Sequence, residues 1–254
     1  MPDRNTLIVI PARMPDRNTL IVIPARYAST RLPGKPLAMI HGKTMIQHVY
    51  EKAAAVKNVS VVVATESALV KTEVELFGGN AIMTSPYHNS GTERMTEVMQ
   101  RLSYSVYVNL QGDEPMCRSN DIQLLVNAMQ NDATLDSASL YHKMSRKDAE
   151  NPNAVKVVMN NYGNAMYFSR SIIPYPRYEP EDLEYNKHVG IYAYTFVSLR
   201  AFGKLPAVSL AEVESLEQLK FISAGYDMNM LQIDPTGPAV DTQEDLDAVR
   251  KLMA

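Results

Sequence analysis

Arg26, Arg31 and Lys35 lie on one loop, directly after the apolar run Leu20, Ile21, Val22 and Ile23. Three cations so close together suit a polyphosphate, because Arg presents a planar fork to phosphate oxygens and Lys a point charge. A solvated basic loop would have the same composition. The β-branched run before it reads as a strand buried on both faces, and open α/β sheets bind ligands at the carboxyl ends of such strands. The loop is neither a Walker loop nor a GxGxxG turn. A second stretch, Gln111, Gly112, Asp113, Glu114 and Pro115, follows residues 106–110, which read as a buried strand. An acidic pair placed there is suited to Mg²⁺, which takes one or two carboxylates together with phosphate oxygens. A Gly-Asp turn is the purely structural account of Asp113. Asp241 reads as the N-cap of the last helix with Glu244 as its box partner, and its second oxygen could still meet a metal ion.

The elements that must position these side chains follow from periodicity. Residues 20–24, 59–64 and 106–110 read as buried strands, and residues 81–83 as a short strand. Between them, Met45, Ile46, Val49, Tyr50 and Ala53 form a helical stripe behind a Thr44/Gln47 capping pattern, and residues 67–77 read as a second helix. Ser90 and Glu93 make another capping box before the stripe Met95, Val98, Met99 and Leu102. Ser90 and Arg94 are therefore explained by helix capping or, equally, by contact with a nucleotide at the strand ends. This alternation predicts an α/β fold: a Rossmann-like three-layer sandwich with a mostly parallel central sheet.

Residues 120–131 continue the helical pattern. Residues 133–190 change character, with β-branched alternation at 155–158, an aromatic strand at 165–168 and Pro- and Tyr-rich loops from 174 to 187. They read as an inserted antiparallel β-rich subregion. Residues 188–194 return as a strand, with His188 and Tyr192 on the same side. Residues 209–223 read as one helix whose Glu214 and Gln218 share a solvated face. Residues 229–233 form a strand, and Leu246, Val249 and Leu252 mark the last helix.

The chain has 254 residues, 46% of them hydrophobic, enough for a large core. A net charge of −3 supplies no basic field for nucleic acid. One cysteine, Cys117, excludes an intrachain disulfide and fits a cytoplasmic protein. No apolar run approaches the roughly 18 residues that span a bilayer. Residues 1–13, MPDRNTLIVIPAR, recur unchanged as residues 14–26. Only the second copy runs into the cationic loop, so residues 1–13 read as a duplicated extension before a single domain of residues 14–254.

Several separated motifs resemble the sugar nucleotidyltransferases and, within them, the 3-deoxy-manno-octulosonate (Kdo) cytidylyltransferase family. They are PARYASTRLPGKPL at 24–37, SGTER at 90–94, NLQGDEP at 109–115, NPNAVKVV at 151–158, YFSR at 167–170, HVGIY at 188–192, LEQL at 216–219 and VDTQEDL at 240–246. The resemblance implies transfer of CMP from CTP to an acidic sugar of lipopolysaccharide, with release of pyrophosphate, by an Mg²⁺-dependent homodimer. It implies that Pro24, Ala25, Arg26, Ser29, Arg31, Lys35, Ser90, Arg94 and Gln111 surround CTP. Asp113 and Asp241 would ligate the metal, and Arg26 and Lys35 would act with them on the phosphates. Arg170, His188, Tyr192, Glu217 and Gln218 would hold the sugar, which replaces the solvated-face reading of the 209–223 helix. The chain departs from the family pattern at Glu66, Tyr175 and Gln243, where Asp, Trp and Pro are common. A sister enzyme for 8-amino-Kdo or a sialic acid, and a CTP-binding protein without chemistry, are the alternative readings.

Overall fold

The computed structural model describes residues 18–28, 31–178 and 183–254. Strand β1 (Thr19–Pro24) is buried along its whole length, as its apolar run requires. A short 3-10 turn (Lys35–Leu37) and a small hairpin, β2 (Met39–Ile40) with β3 (Lys43–Thr44), lead into α1 (Met45–Ala54). That helix buries Met45, Ile46, Val49, Tyr50 and Ala53, the expected stripe. The expected Thr44 capping box does not form, because the Thr44 hydroxyl donates to Glu73 instead. Next come β4 (Val59–Thr65), α2 (Ala68–Leu76, capped by Ser67), β5 (Ala81–Met83), α3 (Gly91–Arg101) and β6 (Val106–Asn109). Ser90 caps α3 by accepting the Glu93 N–H. The Glu93 carboxylate takes the Asn89 N–H rather than that of Ser90, so the reciprocal box is displaced by one residue.

The second half holds α4 (Ser119–Asn131), β7 (Ser137–Met144), α5 (Arg146–Ala149), β8 (Lys156–Met159), β9 (Ala165–Ser169) and β10 (Tyr185–Thr195). It closes with α6 (Phe196–Phe202), α7 (Ser209–Glu214), α8 (Gln218–Ser223), β11 (Asn229–Gln232) and α9 (Gln243–Leu252). The single helix expected over 209–223 is thus two. Ser215 takes a left-handed conformation (φ 52°), which ends α7 and redirects the chain before α8.

The main sheet runs β11-β7-β10-β6-β1-β4-β5, with β8 and β9 as a hairpin attached to β10. β5, β4, β1 and β6 are parallel neighbours, as are β7 and β11, while β10 is antiparallel to both β6 and β7. Along β1, Ile21 and Ile23 join one core with α1, α2 and α4, and Leu20 and Val22 join the other with α3, α6 and α8. The period of two along a strand thus produces the three layers. The β10–β7 register skips from Val189/Leu140 to Tyr192/Ser139. Two extra residues preserve side-chain parity, so His188 and Tyr192 do share a side, their rings 5.3 Å apart.

Candidate active site

The carboxyl ends of β1, β4 and β6 meet the start of α3, and two glycines allow the close approach. A Cβ on Gly112 would stand 2.9 Å from the Pro24 carbonyl oxygen, so only glycine lets the Gln111–Asp113 loop lie against the end of β1. A Cβ on Gly91 would stand 3.3 Å from both Gln111 Nε2 and Pro24 Cγ, which brings Pro24, Gln111 and the start of α3 side by side. Ala25 is buried and donates its N–H to Ala64 across the sheet. Gln111 Nε2 donates to Asn109 Oδ1 (3.2 Å).

The three cations and two acids of the sequence reading converge here, with one exception. Lys35 Nζ lies 2.5 Å from Asp113 Oδ2 and 3.2 Å from Asp241 Oδ1, and it donates to the Val240 carbonyl at 3.0 Å. Arg31 Nη2 lies 3.2 Å from the same Asp241 oxygen. Arg26 is exposed and makes no hydrogen bond or ion pair among the described residues. Ser29 lies outside the described residues. Asp241 is not the cap of α9. Thr242 is, in a box with Asp245, whose carboxylate accepts the N–H groups of both Asp241 and Thr242. The cap sits one residue later than expected, and the Asp241 carboxylate is free to face Lys35 and Arg31. Beside Asp113, burial and the neighbouring Asp113 charge push Glu114 up to about 8.

Arg94 is buried, 1% exposed, on the first turn of α3. Its Nη2 lies 2.9 Å from Glu66 Oε2, and its Nη1 donates to the Thr84 hydroxyl. Desolvation lowers its pKa, and the Glu66 charge opposes that shift. The other Glu66 oxygen accepts the Tyr27 N–H, so Glu66 ties the cationic loop to α3. This partner was not legible in the sequence, since nothing in one strand-end acid names a helix arginine as its mate.

The residues assigned to a sugar divide in two. Ser90 Oγ donates to Glu217 Oε1 (2.7 Å), joining the start of α3 to the α7–α8 corner. Burial raises the Glu217 pKa, and hydrogen bonds from Ser90 and Thr92 pull it back. Gln218 is buried, and its Nε2 has no partner among the described residues. His188 is also buried, with Nε2 3.0 Å from Ser139 Oγ. Ser139 has one proton, and the Ile191 carbonyl at 2.9 Å can only accept it. His188 Nε2–H therefore donates to Ser139, which leaves Nδ1 as the ring's acceptor. Burial raises the Tyr192 hydroxyl far above its ordinary range, and the charges of Glu217 and Glu114 add to that rise. Arg170 stands apart. Its guanidinium donates to the carbonyls of Glu214 (2.7 Å), Pro152 (3.1 Å) and Ser215 (3.5 Å), and so clamps the end of α7 to the inserted hairpin.

A model of the cytidylyltransferase family matches residues 20–231. The 3-deoxy-manno-octulosonate cytidylyltransferase of Escherichia coli is 50% identical over 249 residues, covering 98% of this chain and 96% of that protein. The chain belongs to the 3-deoxy-manno-octulosonate cytidylyltransferases. The relative of that name from Fusobacterium nucleatum is 44% identical over 225 residues, covering 88% of this chain and 91% of its own. The solved structure of CMP:2-keto-3-deoxy-manno-octonic acid synthetase complexed with CTP matches this cytidylyltransferase with a TM-score of 0.90 at 50% identity, covering 93% and 98% of the two chains. A 4-diphosphocytidyl-2C-methyl-D-erythritol synthase from Anaerococcus prevotii, 13% identical with a TM-score of 0.62, shares the fold alone. A surface cleft of about 500 Å³ in this cytidylyltransferase, lined by Arg101, Phe196, Arg200 and Lys204, sits at the far end of α3 from Ser90 and is separate from the strand-end site.

Proposed function

We propose that the protein transfers CMP from CTP to the anomeric hydroxyl of Kdo and releases pyrophosphate. The observation that carries this reading is the convergence of Lys35, Arg31, Asp113 and Asp241 at the strand ends, in a chain of this family. The sugar hydroxyl oxygen attacks the α-phosphorus of CTP in line. A new oxygen–phosphorus bond forms, the bond to the β-phosphate's bridging oxygen breaks, and the hydroxyl proton leaves with the medium. Arg26, Arg31 and Lys35 hold the triphosphate and balance the charge that gathers on pyrophosphate. Ser90 and Gln111 border the cytidine, with Arg94 behind them as the buried charge that orders the start of α3. Glu217, His188, Tyr192 and Gln218 face the sugar, where the Glu217 carboxylate accepts hydroxyls and Gln218 Nε2, without a partner among the described residues, donates. In this reading Arg170 is a positioning residue for the α7–α8 corner.

The residues present fit a magnesium ion. Asp113 and Asp241 direct oxygens at one point, now the Lys35 ammonium, and among the described residues no group of three or more His, Cys, Asp or Glu gathers into a full protein cage. Mg²⁺ favours such sparse sites, where substrate phosphates and water complete its shell. Bound there, it would neutralise phosphate charge and help orient the attacking oxygen.

A cytoplasmic location is inferred from one cysteine, Cys117, whose buried thiol is pushed up to about 12. No helix among the described residues is long and apolar enough to cross a membrane. A homodimer is inferred from the family resemblance, and sedimentation would test it.

Pyrophosphate release with CTP and Mg²⁺ tests the activity, with Kdo, 8-amino-Kdo and N-acetylneuraminate offered in parallel. Turnover with Kdo alone is expected. Turnover with another sugar would reassign the substrate, and CTP binding without release from any sugar would reject the chemistry. Asp113→Asn should lower kcat by about 100-fold or more, about 2.7 kcal/mol. A loss under about tenfold would remove Asp113 from the metal.

A further inference from the structure

Lys35 Nζ stands where a cation held by Asp113 and Asp241 would stand. It lies 2.5 Å from Asp113 Oδ2, 3.2 Å from Asp241 Oδ1 and 3.0 Å from the Val240 carbonyl oxygen. All three ammonium donors are thereby engaged, and every partner is an oxygen. Such hard oxygens are also what a small divalent cation prefers. The Lys35 side chain is only 15% exposed, so solvent screens its contacts poorly. Arg31 and Lys35 balance Asp113 and Asp241 one for one. A divalent ion added to this balanced set would meet like charge at contact distance. A triphosphate alters the balance, because it offers anionic oxygens to a lysine on a flexible four-carbon stem.

We propose that Lys35 is a built-in place-holder for the metal ion: its ammonium fills the Asp113–Asp241 pair in the free protein, and the nucleotide's phosphates must draw it off before a divalent ion is held there. Nucleotide then loads first, and the free protein binds metal only weakly. The inference rests on the reading of Asp113 and Asp241 as metal ligands.

The test is titration of the full chain with Mn²⁺, a spectroscopically visible substitute for Mg²⁺, in the absence of nucleotide. Free Mn²⁺ is read by electron paramagnetic resonance for the wild type, Lys35→Met, Lys35→Gln and the double variant Lys35→Met/Asp113→Asn. Lys35→Gln keeps a polar group between the acids in case the methionine variant does not fold. The expected result is Mn²⁺ affinity about tenfold or more tighter in both single variants, since a site occupied most of the time binds in proportion to its open fraction. Asp113→Asn should abolish that gain. Equal affinity in the wild type and both Lys35 variants, still dependent on Asp113, would overturn the place-holder and leave the ligand assignment standing. Absence of Asp113-dependent binding in every variant would overturn both.

Discussion

His188 carries no charge at neutral pH because nothing around it offsets the loss of water. Desolvation lowers its pKa from 6.5 to about 3. The unfolded chain then binds a proton near 6.5 while the folded chain resists it down to about 3, so stability falls as pH falls through that window. Between pH 7 and pH 5 this single group should remove about 2 kcal/mol. Urea unfolding at both pH values checks it. His188→Gln should lose about that much less than the wild type over the interval, and equal losses would mean that the ring is not buried neutral. The sequence placed His188 and Tyr192 on one side of a strand, and strand parity is local enough to read in that way. It did not reveal Ser139 as the partner that sets the ring's tautomer, because that hydroxyl comes from a neighbouring strand. The same limit applied to Glu66 and Arg94, which sit on β4's end and on α3 and meet only through the fold.

Helices were legible where an apolar stripe repeats, and less so where a side chain chooses among backbone partners. The stripe of α1 is as expected, yet Thr44 turned to Glu73. At α9 two acceptable caps compete, Asp241 with Glu244 or Thr242 with Asp245. The second wins, with Lys35 and Arg31 drawing the Asp241 carboxylate away from the helix. Thr242→Ala should therefore cost about 1 kcal/mol of stability, the usual value of a lost cap, whereas Asp241→Asn should leave the melting temperature nearly unchanged while lowering kcat by about 100-fold. Thermal melts and steady-state rates on the two variants check this. A stability loss confined to Asp241→Asn would restore the earlier cap. The α7–α8 corner was missed because periodicity runs through it, and Ser215's positive φ, rare for a residue with a Cβ, is not written in a hydrophobic pattern.

At the scale of the whole molecule, β1 comes from the second copy of the duplicated segment and lies inside the sheet between β6 and β4. Residues 1–13 lie outside the described residues. Deleting them should leave kcat/KM within about twofold, because only the second copy of the segment runs into the cationic loop. A larger loss in steady-state assays would give the extension a part in the active protein.

The sequence by itself determined the layered α/β class, the inserted β-rich segment and the separate motifs that carry the chemistry. Those features rest on local periodicity and on residues adjacent in the chain. Tertiary structure alone decided which acids face which cations. Lys35 is 78 residues from Asp113 and 206 from Asp241; the parallel order of β1 and β6, with Gly112 letting their loops touch, brings Lys35 to Asp113, and the Val240 N–H donating to the Asp113 carbonyl brings Asp241 beside them. Electrostatic contacts are fixed by distance in space, and local sequence patterns do not encode it.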